Sequence, residues 1–262
     1  MDHAEVGRYW DQNADTWTEL SRAGYDIYRD LVNTPAFVAM LPDLTGRSGL
    51  DLGCGEGRNT RLLAQRGAQM TAIDIAGRFI HAAVTEERHR PLGIRYLHSS
   101  AVALPFQDGA FDFVVAFMSL MDMPDLRAVL AEVHRVLRSG GFLQFSIEHP
   151  CTAPPASGWV KDDHGRRVAR AIGGYFDQQP QVDSWIFGAA PQALRRARRP
   201  FRIPRFPRTL GAWLNAIASA GLTVEAADEP FADTAAIARQ PQLEETRIAP
   251  LFLHLRCRKA TL

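Results

Sequence analysis

The spacing of apolar residues changes along the chain and predicts an alternation of strands and helices. Short apolar runs predict buried strands, whereas apolar residues at three- and four-residue steps predict helices. The predicted strands are one ending at residue 52, then 70–73, 94–98, 111–117, 142–148, 222–226 and 251–255. The helices between them are 58–66, 78–90, one from 126 to the pair Gly140-Gly141, and 209–221. This alternation predicts an α/β fold with a mostly parallel sheet.

Two stretches fall outside the alternation. Residues 1–45 predict an N-terminal helical cap whose first helix carries an aromatic face. Residues 151–208 have many prolines and aromatic side chains, with no regular pattern, directly after the fifth predicted strand. Long insertions of this kind are usually functional, so we predict a lid on the substrate side. We expect residues 1–262 to form one domain that includes both stretches.

The densest motif, L-D-L-G-C-G-E-G-R-N, occupies residues 50–59. It contains Asp51 and three glycines at alternate positions, Gly53, Gly55 and Gly57, and it leads into a helix. Glycine reaches backbone conformations closed to other residues and lets a ligand approach the main chain. The N–H groups at the helix start favour a negatively charged ligand group. The motif therefore predicts a site for a nucleoside ligand with an anionic end.

A second acid, Asp74, ends the next predicted strand, about twenty residues after the glycine turn. This position suits a carboxylate that accepts hydrogen bonds from both ribose hydroxyls of an adenosyl ligand. A helix N-cap is the alternative interpretation, because a helical pattern begins at Gly77. The dinucleotide fingerprint G-x-G-x-x-G is not matched, since Arg58 and Thr60 stand where its third glycine would fall.

The D-x-G-x-G-x-G pattern resembles motif I of the class I S-adenosylmethionine-dependent methyltransferases. The pieces A-L-P-F, L-M-D-M-P-D, V-L-R-S-G-G-F and S-I-E-H-P follow in the order of small-molecule members similar to those of ubiquinone and menaquinone biosynthesis. The resemblance implies a Rossmann-like, seven-stranded, mostly parallel sheet with helices on both faces and an antiparallel last strand. It also implies S-adenosylmethionine as cofactor, S-adenosylhomocysteine as product, and methyl transfer to an O, N or C atom.

The resemblance extends the predicted cofactor site beyond the glycine turn. Ile75, Phe117 and Met118 follow strand ends, where open α/β sheets bind ligands. Many relatives carry an aspartate at the position of Ser100, and serine is a weaker, neutral acceptor for the adenine amino group. We therefore predict the adenine contact at Ser100 Oγ, the Ala101 backbone or both. The predicted cofactor residues are Asp51, Gly53, Gly55, Gly57, Asp74, Ile75, Ser100, Ala101, Phe117 and Met118.

The predicted acceptor site depends on fewer observations. Because the donor is already activated, a base is needed only where the acceptor must lose a proton. His149, at the end of the fifth strand, is the predicted catalytic base, since histidine titrates near neutral pH. A structural role at the strand exit is the alternative, and Glu148 is a second candidate. The predicted substrate contacts are Tyr9, Trp10, His149 and Trp185.

The insertion 151–208 carries eleven Lys or Arg side chains and four acidic ones, although the whole chain has a formal net charge of +1. Arginines and aromatic rings favour a small anionic or aromatic acceptor, methylated at O or N. RNA methylation through the run R-R-A-R-R-P-F-R-I-P-R is an alternative, by phosphate contacts. Two further alternatives are a nicotinamide-dependent oxidoreductase and a non-catalytic S-adenosylmethionine-binding protein.

Composition narrows the remaining possibilities. The near-neutral net charge argues against a dedicated nucleic-acid binder or a membrane-surface protein. Three cysteines without zinc-type spacing predict reduced thiols and no metal. We predict a cytoplasmic protein, because the N-terminus lacks a signal pattern and no apolar run approaches the roughly 18 residues of a membrane span. The expected partner is a small-molecule acceptor, and monomer and homodimer both stay open.

Overall fold

The computed structural model describes residues 1–154 and 156–261. The strands, in chain order, are β1 (Ser48–Leu52), β2 (Gln69–Asp74), β3 (Arg95–His98), β4 (Phe111–Phe117), β5 (Leu137–Glu148), β6 (Gly158–Lys161), β7 (Arg167–Ala171), β8 (Gln181–Trp185), β9 (Phe201–Arg205), β10 (Leu222–Asp228) and β11 (Phe252–Lys259). The helices are α1 (His3–Arg22), α2 (Thr34–Met40), α3 (Arg58–Gln65), α4 (Gly77–His89), α5 (Leu126–Val136), α6 (Gln192–Ala197), α7 (Leu210–Ser219) and α8 (Thr234–Arg239).

The central sheet has seven strands in the order β10-β11-β5-β4-β1-β2-β3. The strands from β5 to β3 pair in parallel, whereas β11 runs antiparallel to both of its neighbours, β5 and β10. The chain order reverses between β1 and β4, which opens a crevice at the carboxyl ends of these strands. The predicted Rossmann-like sheet with an antiparallel last strand is confirmed.

Two apolar clusters flank the sheet and explain why the helices form where they do. Helix α5 begins at Asp125, whose side chain accepts a hydrogen bond from the Ala128 N–H at 3.0 Å. Its buried side chains and those of α7 form one cluster with the sheet, and α2 and α3 contribute to the other. Burial of an apolar helix face supplies most of the stability of such short helices.

The boundary between α5 and β5 differs from the prediction. We expected the helix to continue to the glycine pair, but it ends at Val136 and Leu137 is already extended, with φ −74° and ψ 137°. Leu137 pairs with Phe111, so the first residues of β5 belong to the sheet. Gly140, at φ +72°, lies inside the strand. The glycine pair therefore shapes an irregular strand and does not end the helix.

The insertion 151–208 is more regular than its sequence indicates. It contains two antiparallel hairpins, β6–β7 and β8–β9, and the short helix α6. Strand β9 contacts α1 through Asn13. The side-chain amide of Asn13 donates a hydrogen bond to the Arg202 carbonyl at 2.9 Å, and its Oδ1 accepts one from the Arg202 N–H at 3.1 Å. The strands are only four or five residues long, too short to give a clear alternation in the sequence. The roles of this segment as a lid and of residues 1–45 as a cap stay predictions.

An aromatic cluster joins the first helix to the insertion. The Trp17 ring lies 5.6 Å from Trp185, 4.9 Å from Phe187 and 4.8 Å from Phe201, between ring centroids. Aromatic pairs at these distances are stabilising beyond the apolar area that they bury. After α1 the chain makes a π-helical turn, Arg29–Asn33, before α2. The aromatic face predicted for the first helix thus packs against the β8–β9 hairpin.

Candidate active site

A cavity of about 1110 Å³ opens at the carboxyl ends of the parallel strands. Its walls include residues that follow β1, β2 and β4, together with side chains of α1 and of the insertion. Pockets for one small molecule usually measure about 300–1000 Å³. The cavity is therefore large enough for a nucleoside ligand and a second small molecule.

The glycine turn forms one wall of the cavity. Gly55 has φ +54°, and no described atom lies within 4 Å of the position that a Cβ would occupy. Gly53, at φ +72°, is instead crowded, because a Cβ there would lie 2.5 Å from Ser119 Cβ. Gly57 was predicted to contact the cofactor, but it does not line the cavity, and a Cβ there would lie 2.5 Å from the Tyr96 hydroxyl oxygen. Close packing inside the protein explains this third glycine.

Asp74 lies on the cavity wall and also holds the glycine turn. Its Oδ2 accepts a hydrogen bond from the Gly55 N–H, and its Oδ1 accepts one from the Ala76 N–H, both at 2.8 Å. Burial raises its pKa to about 6, although these backbone hydrogen bonds lower it. Each carboxylate oxygen has a second lone pair, so these bonds leave capacity for a ligand hydroxyl. The capping contact and the predicted ribose contact are therefore compatible.

Asp51 presents an unsatisfied oxygen at the same end of the cavity. Its Oδ2 accepts a hydrogen bond from Thr60 Oγ1 at 2.6 Å, whereas its Oδ1 is buried without a partner among residues 1–154 and 156–261. Burial raises its pKa to about 7, the Thr60 bond lowers it, and the charge of Asp74 raises it. A buried acceptor without a partner is costly. The site is thus suited to a ligand with a donor group, such as an ammonium.

The remaining predicted cofactor residues lie on the cavity wall. They are Ile75, Ser100, Ala101, Phe117 and Met118. The Ser100 hydroxyl is buried, and within the described chain it has no hydrogen-bond partner. This is expected of a group that contacts the adenine of a bound cofactor. Met118 has φ +50°, rare for a residue with a side chain, and its N–H contacts both oxygens of Ser146. Their contacts with a cofactor stay predictions.

Comparisons with known proteins agree with this geometry. Residues 50–145 match the family described as "Methyltransferase domain". The structure resembles that of an S-adenosylmethionine-dependent methyltransferase of Mesorhizobium loti, with 29% sequence identity and a TM-score of 0.71. That similarity covers 86% of this chain and 96% of the other. Residues 50–145 therefore match a methyltransferase domain, and the sheet has the fold of the class I S-adenosylmethionine-dependent methyltransferases.

Two curated enzymes are similar to this methyltransferase over part of their length. An O-methyltransferase of Penicillium expansum is 31% identical over 58% of this chain and 62% of its own. The demethylmenaquinone methyltransferase of Thermus thermophilus is 35% identical over 48% of this chain and 57% of its own. The predicted cofactor, S-adenosylmethionine, is confirmed by the match of residues 50–145 and by the similarity to the Mesorhizobium loti enzyme. The open space at Gly55 and the free oxygen of Asp51 are consistent with that cofactor.

The cavity wall formed by the turn after β4, the end of β5 and strands β8 and β9 contains an ion cluster that we name the acceptor-end cluster: Asp122, Glu148, Asp183 and Arg205. Both terminal nitrogens of Arg205 donate to the Glu148 carboxylate, one of them at 2.8 Å. Arg205 Nε lies 2.7 Å from Asp183 Oδ2, without the alignment of a hydrogen bond. Burial raises the pKa of Asp122 to about 8, more than the charge of Arg205 lowers it. The cluster therefore contains three carboxyl groups but only one arginine, and this guanidinium does not pair with all three.

A second arginine contact lies on the wall beside this cluster. The Arg170 guanidinium is 5.0 Å from the Trp159 ring centroid, and its Nη2 donates to the Thr152 carbonyl at 2.8 Å. Its Nε is buried and, in the part of the chain that the structure describes, has no hydrogen-bond partner. Trp10 and Trp185 also line the cavity. A ring and a free guanidinium N–H are thus available to a small acceptor.

Two predicted acceptor contacts lie outside the cavity wall. His149 is 4% exposed; its Nδ1 accepts a hydrogen bond from the Cys151 N–H at 3.2 Å, and its Nε2 is 2.8 Å from Glu229. Successive side chains of a strand point to opposite faces, so Glu148 reaches the cavity and His149 does not. The geometry favours the structural role at the strand exit, and His149 as the base stays a prediction that this placement does not support. Tyr9 instead stacks on Arg202, at 5.1 Å.

Other functional candidates came only with the structure. Asp122, Asp183 and Arg205 are far apart in the sequence, and no motif joins them. Asp122 follows β4 in a 3₁₀ turn, Leu120–Asp122. Its place after a parallel strand and within the piece L-M-D-M-P-D are the signals that could have identified it. Within residues 1–154 and 156–261, no group of three or more His, Cys, Asp or Glu could hold a metal ion. No helix in these residues is long and apolar enough to cross a membrane.

Proposed function

We propose that the protein transfers a methyl group from S-adenosylmethionine to an oxygen or nitrogen atom of a small aromatic or anionic acceptor. The observation that carries the proposal is one cavity lined by two chemically different sets of residues: the glycine turn with Asp74, and the ring and guanidinium of Trp159 and Arg170. Because both sets line the same cavity, they suit a reaction that depends on holding donor and acceptor close together. The names of the two curated relatives, which include an O-methyltransferase, support a small acceptor.

In this proposal Asp74 accepts hydrogen bonds from the ribose hydroxyls, and Ser100 contacts the adenine. Residues 1–45 and 151–208 act as cap and lid, because their aromatic side chains meet above the cavity. Trp10 and Trp185 hold an aromatic ring of the acceptor, and Arg170 Nε donates to an anionic group on it. Guanidinium groups that lie on aromatic rings are well suited to such recognition.

Calorimetric titration with S-adenosylhomocysteine tests the cofactor half of the proposal, with NAD as the control ligand. We expect S-adenosylhomocysteine alone to bind, and we expect Asp74→Ala to lose most of that affinity. Asp228→Ala is the matched control, because Asp228 is exposed at the end of β10, away from the cavity. Binding of NAD alone would contradict the proposal, as would equal affinity loss in both variants.

Transfer of a labelled methyl group tests the acceptor half. The probes are catechol, 4-hydroxybenzoate, aniline and total tRNA, each with labelled S-adenosylmethionine. We expect label on at least one small probe. The RNA alternative has one observation in its favour, the exposed side chains of Arg195, Arg196 and Arg199 around α6. Label on tRNA alone, with binding that weakens steeply between low and moderate salt, would support that alternative. Cofactor binding without any transfer would indicate a non-catalytic protein.

A further inference from the structure

The side chain of Asp122 has an unusual position at the acceptor end of the cavity. It is 4% exposed, lines the cavity, and has one carboxyl oxygen, Oδ1, that is buried without a partner in the described chain. Its backbone N–H donates to the Ser119 carbonyl at 3.1 Å, and Ser119 Oγ donates to the Leu52 carbonyl at 2.6 Å. Asp122 is therefore fixed against the end of β1, next to the glycine turn that begins at Gly53.

The two arginines that face Asp122 are already engaged with other groups. Arg205 faces it from β9, but the guanidinium is already shared by Glu148 at the end of β5 and Asp183 on β8. Arg208 also faces it, yet its Nη2 donates to the backbone carbonyls of Met123 and Pro124, at 2.6 and 3.1 Å.

Burial has the largest effect on the Asp122 carboxyl group and raises its pKa to about 8; Arg205 and Arg208 lower this pKa, and Glu148 and Asp183 raise it. Such a group exchanges a proton near the pH at which enzymes operate.

Several other ionisable groups that line the cavity, or lie close to it, have structural partners. Asp74 holds two backbone N–H groups, and Glu148 holds both terminal nitrogens of Arg205. His149 lies behind the wall. Asp51 also has a free oxygen, but it is in the glycine motif at the cofactor end. Among the three carboxyl groups of the acceptor-end cluster, Asp122 is the one with an oxygen that is buried without a partner in the described chain.

We propose that Asp122 contacts the methyl acceptor and takes its proton during methyl transfer. This inference rests on the proposed function. The acceptor O or N atom forms a bond to the methyl carbon while the bond from that carbon to sulfur breaks. The electron pair of the broken bond stays on sulfur, which becomes the neutral thioether of S-adenosylhomocysteine. The acceptor proton passes to the Asp122 carboxylate and returns to solvent after the product leaves.

The test compares Asp122→Asn with wild type and with Asp228→Asn, an exposed control. For wild type we expect kcat on catechol to rise about tenfold per pH unit and to level near pH 8, where Asp122 ionises. In Asp122→Asn we expect kcat below pH 8 to fall by about 10²–10⁴-fold, because general-base catalysis contributes about that much. The rate that is left should depend on ionised catechol, so it should keep rising above pH 8 and should not level there. The affinity for S-adenosylhomocysteine should stay within about twofold of wild type, since Asp122 is not among the predicted cofactor contacts.

A second acceptor separates proton transfer from a structural effect. 4-Nitrocatechol is more acidic than catechol and is already ionised where catechol is not, so it needs no base. The rate deficit of Asp122→Asn should therefore be at least about tenfold smaller on 4-nitrocatechol than on catechol. Equal deficits on both acceptors would overturn the inference, and so would a pH profile like that of wild type. If wild type binds S-adenosylhomocysteine but methylates neither catechol, the proposed function fails for this acceptor class and the inference fails with it.

Discussion

Gly55 offers a sharp test of how the glycine turn works. The substitution Gly55→Ala adds a Cβ that meets no described atom within 4 Å, at a backbone φ of +54°. We expect the free energy of unfolding to fall by about 1–2 kcal/mol, because an L-residue in the left-handed region costs about that much. Gly55 lines the cavity, so the new methyl group should meet a cofactor that approaches the main chain there, as we propose. If overpacking costs about 1–3 kcal/mol there, the dissociation constant for S-adenosylhomocysteine rises about 5- to 150-fold.

The matched control is Gly93→Ala. Gly93 has φ +77° and equally open surroundings among the described atoms, but it lies in the loop between α4 and β3, outside the cavity wall. Urea unfolding should give similar stability losses for both variants, whereas calorimetry should show weaker cofactor binding only for Gly55→Ala. The reasoning is refuted if Gly55→Ala binds S-adenosylhomocysteine as tightly as wild type, or if Gly93→Ala weakens binding equally.

Three further predictions concern stability. Gly49→Ala places a Cβ 2.1 Å from the Phe113 ring and should cost about 1–3 kcal/mol in urea unfolding; recovery with Phe113→Leu checks the cause. Burial raises the pKa of Asp51 from 3.8 to about 7, so the folded state keeps a proton that the unfolded chain releases. The free energy of unfolding should therefore fall as pH rises from about 4 to 7, and Asp51→Asn should reduce that slope; an unchanged slope would contradict this. Arg205→Met leaves the Glu148 carboxylate unpaired and should lower the free energy of unfolding by about 3–5 kcal/mol. In urea unfolding, the double variant with Glu148→Gln should lose less than the sum of the two single variants.

The cofactor end was predictable from sequence because its determinants are local. Asp51 and the glycines are within one strand-to-helix turn, and Asp74 ends the next strand, so a short motif contains both the geometry and the chemistry. Even there the sequence did not separate Gly55, which faces the cavity, from Gly57, which faces Tyr96. Both have positive φ, and only the packing distinguishes a glycine required by a ligand from one required by a neighbouring side chain.

The acceptor end was not predictable because its parts meet only in the folded chain. Asp122, Asp183 and Arg205 come from three elements, and two of these are in the short hairpin of the insertion. For a related reason, the sequence did not show which of Glu148 and His149 reaches the cavity. Strand β5 is buried on both faces, so its residues show no alternation of apolar and polar positions that would tell which side chain reaches the cavity.

The aromatic cluster around Trp17 has a consequence for synthesis on the ribosome. Its partners on the β8–β9 hairpin, such as Trp185, follow about 170 residues later, and chains grow at about 5–20 residues per second. The aromatic face of α1 therefore waits about 10–30 s for the strands that cover it. During that interval the face is available to chaperones or to other nascent chains. If translation ended between β5 and β8, the released chain would contain the complete glycine motif, but this aromatic surface would be uncovered.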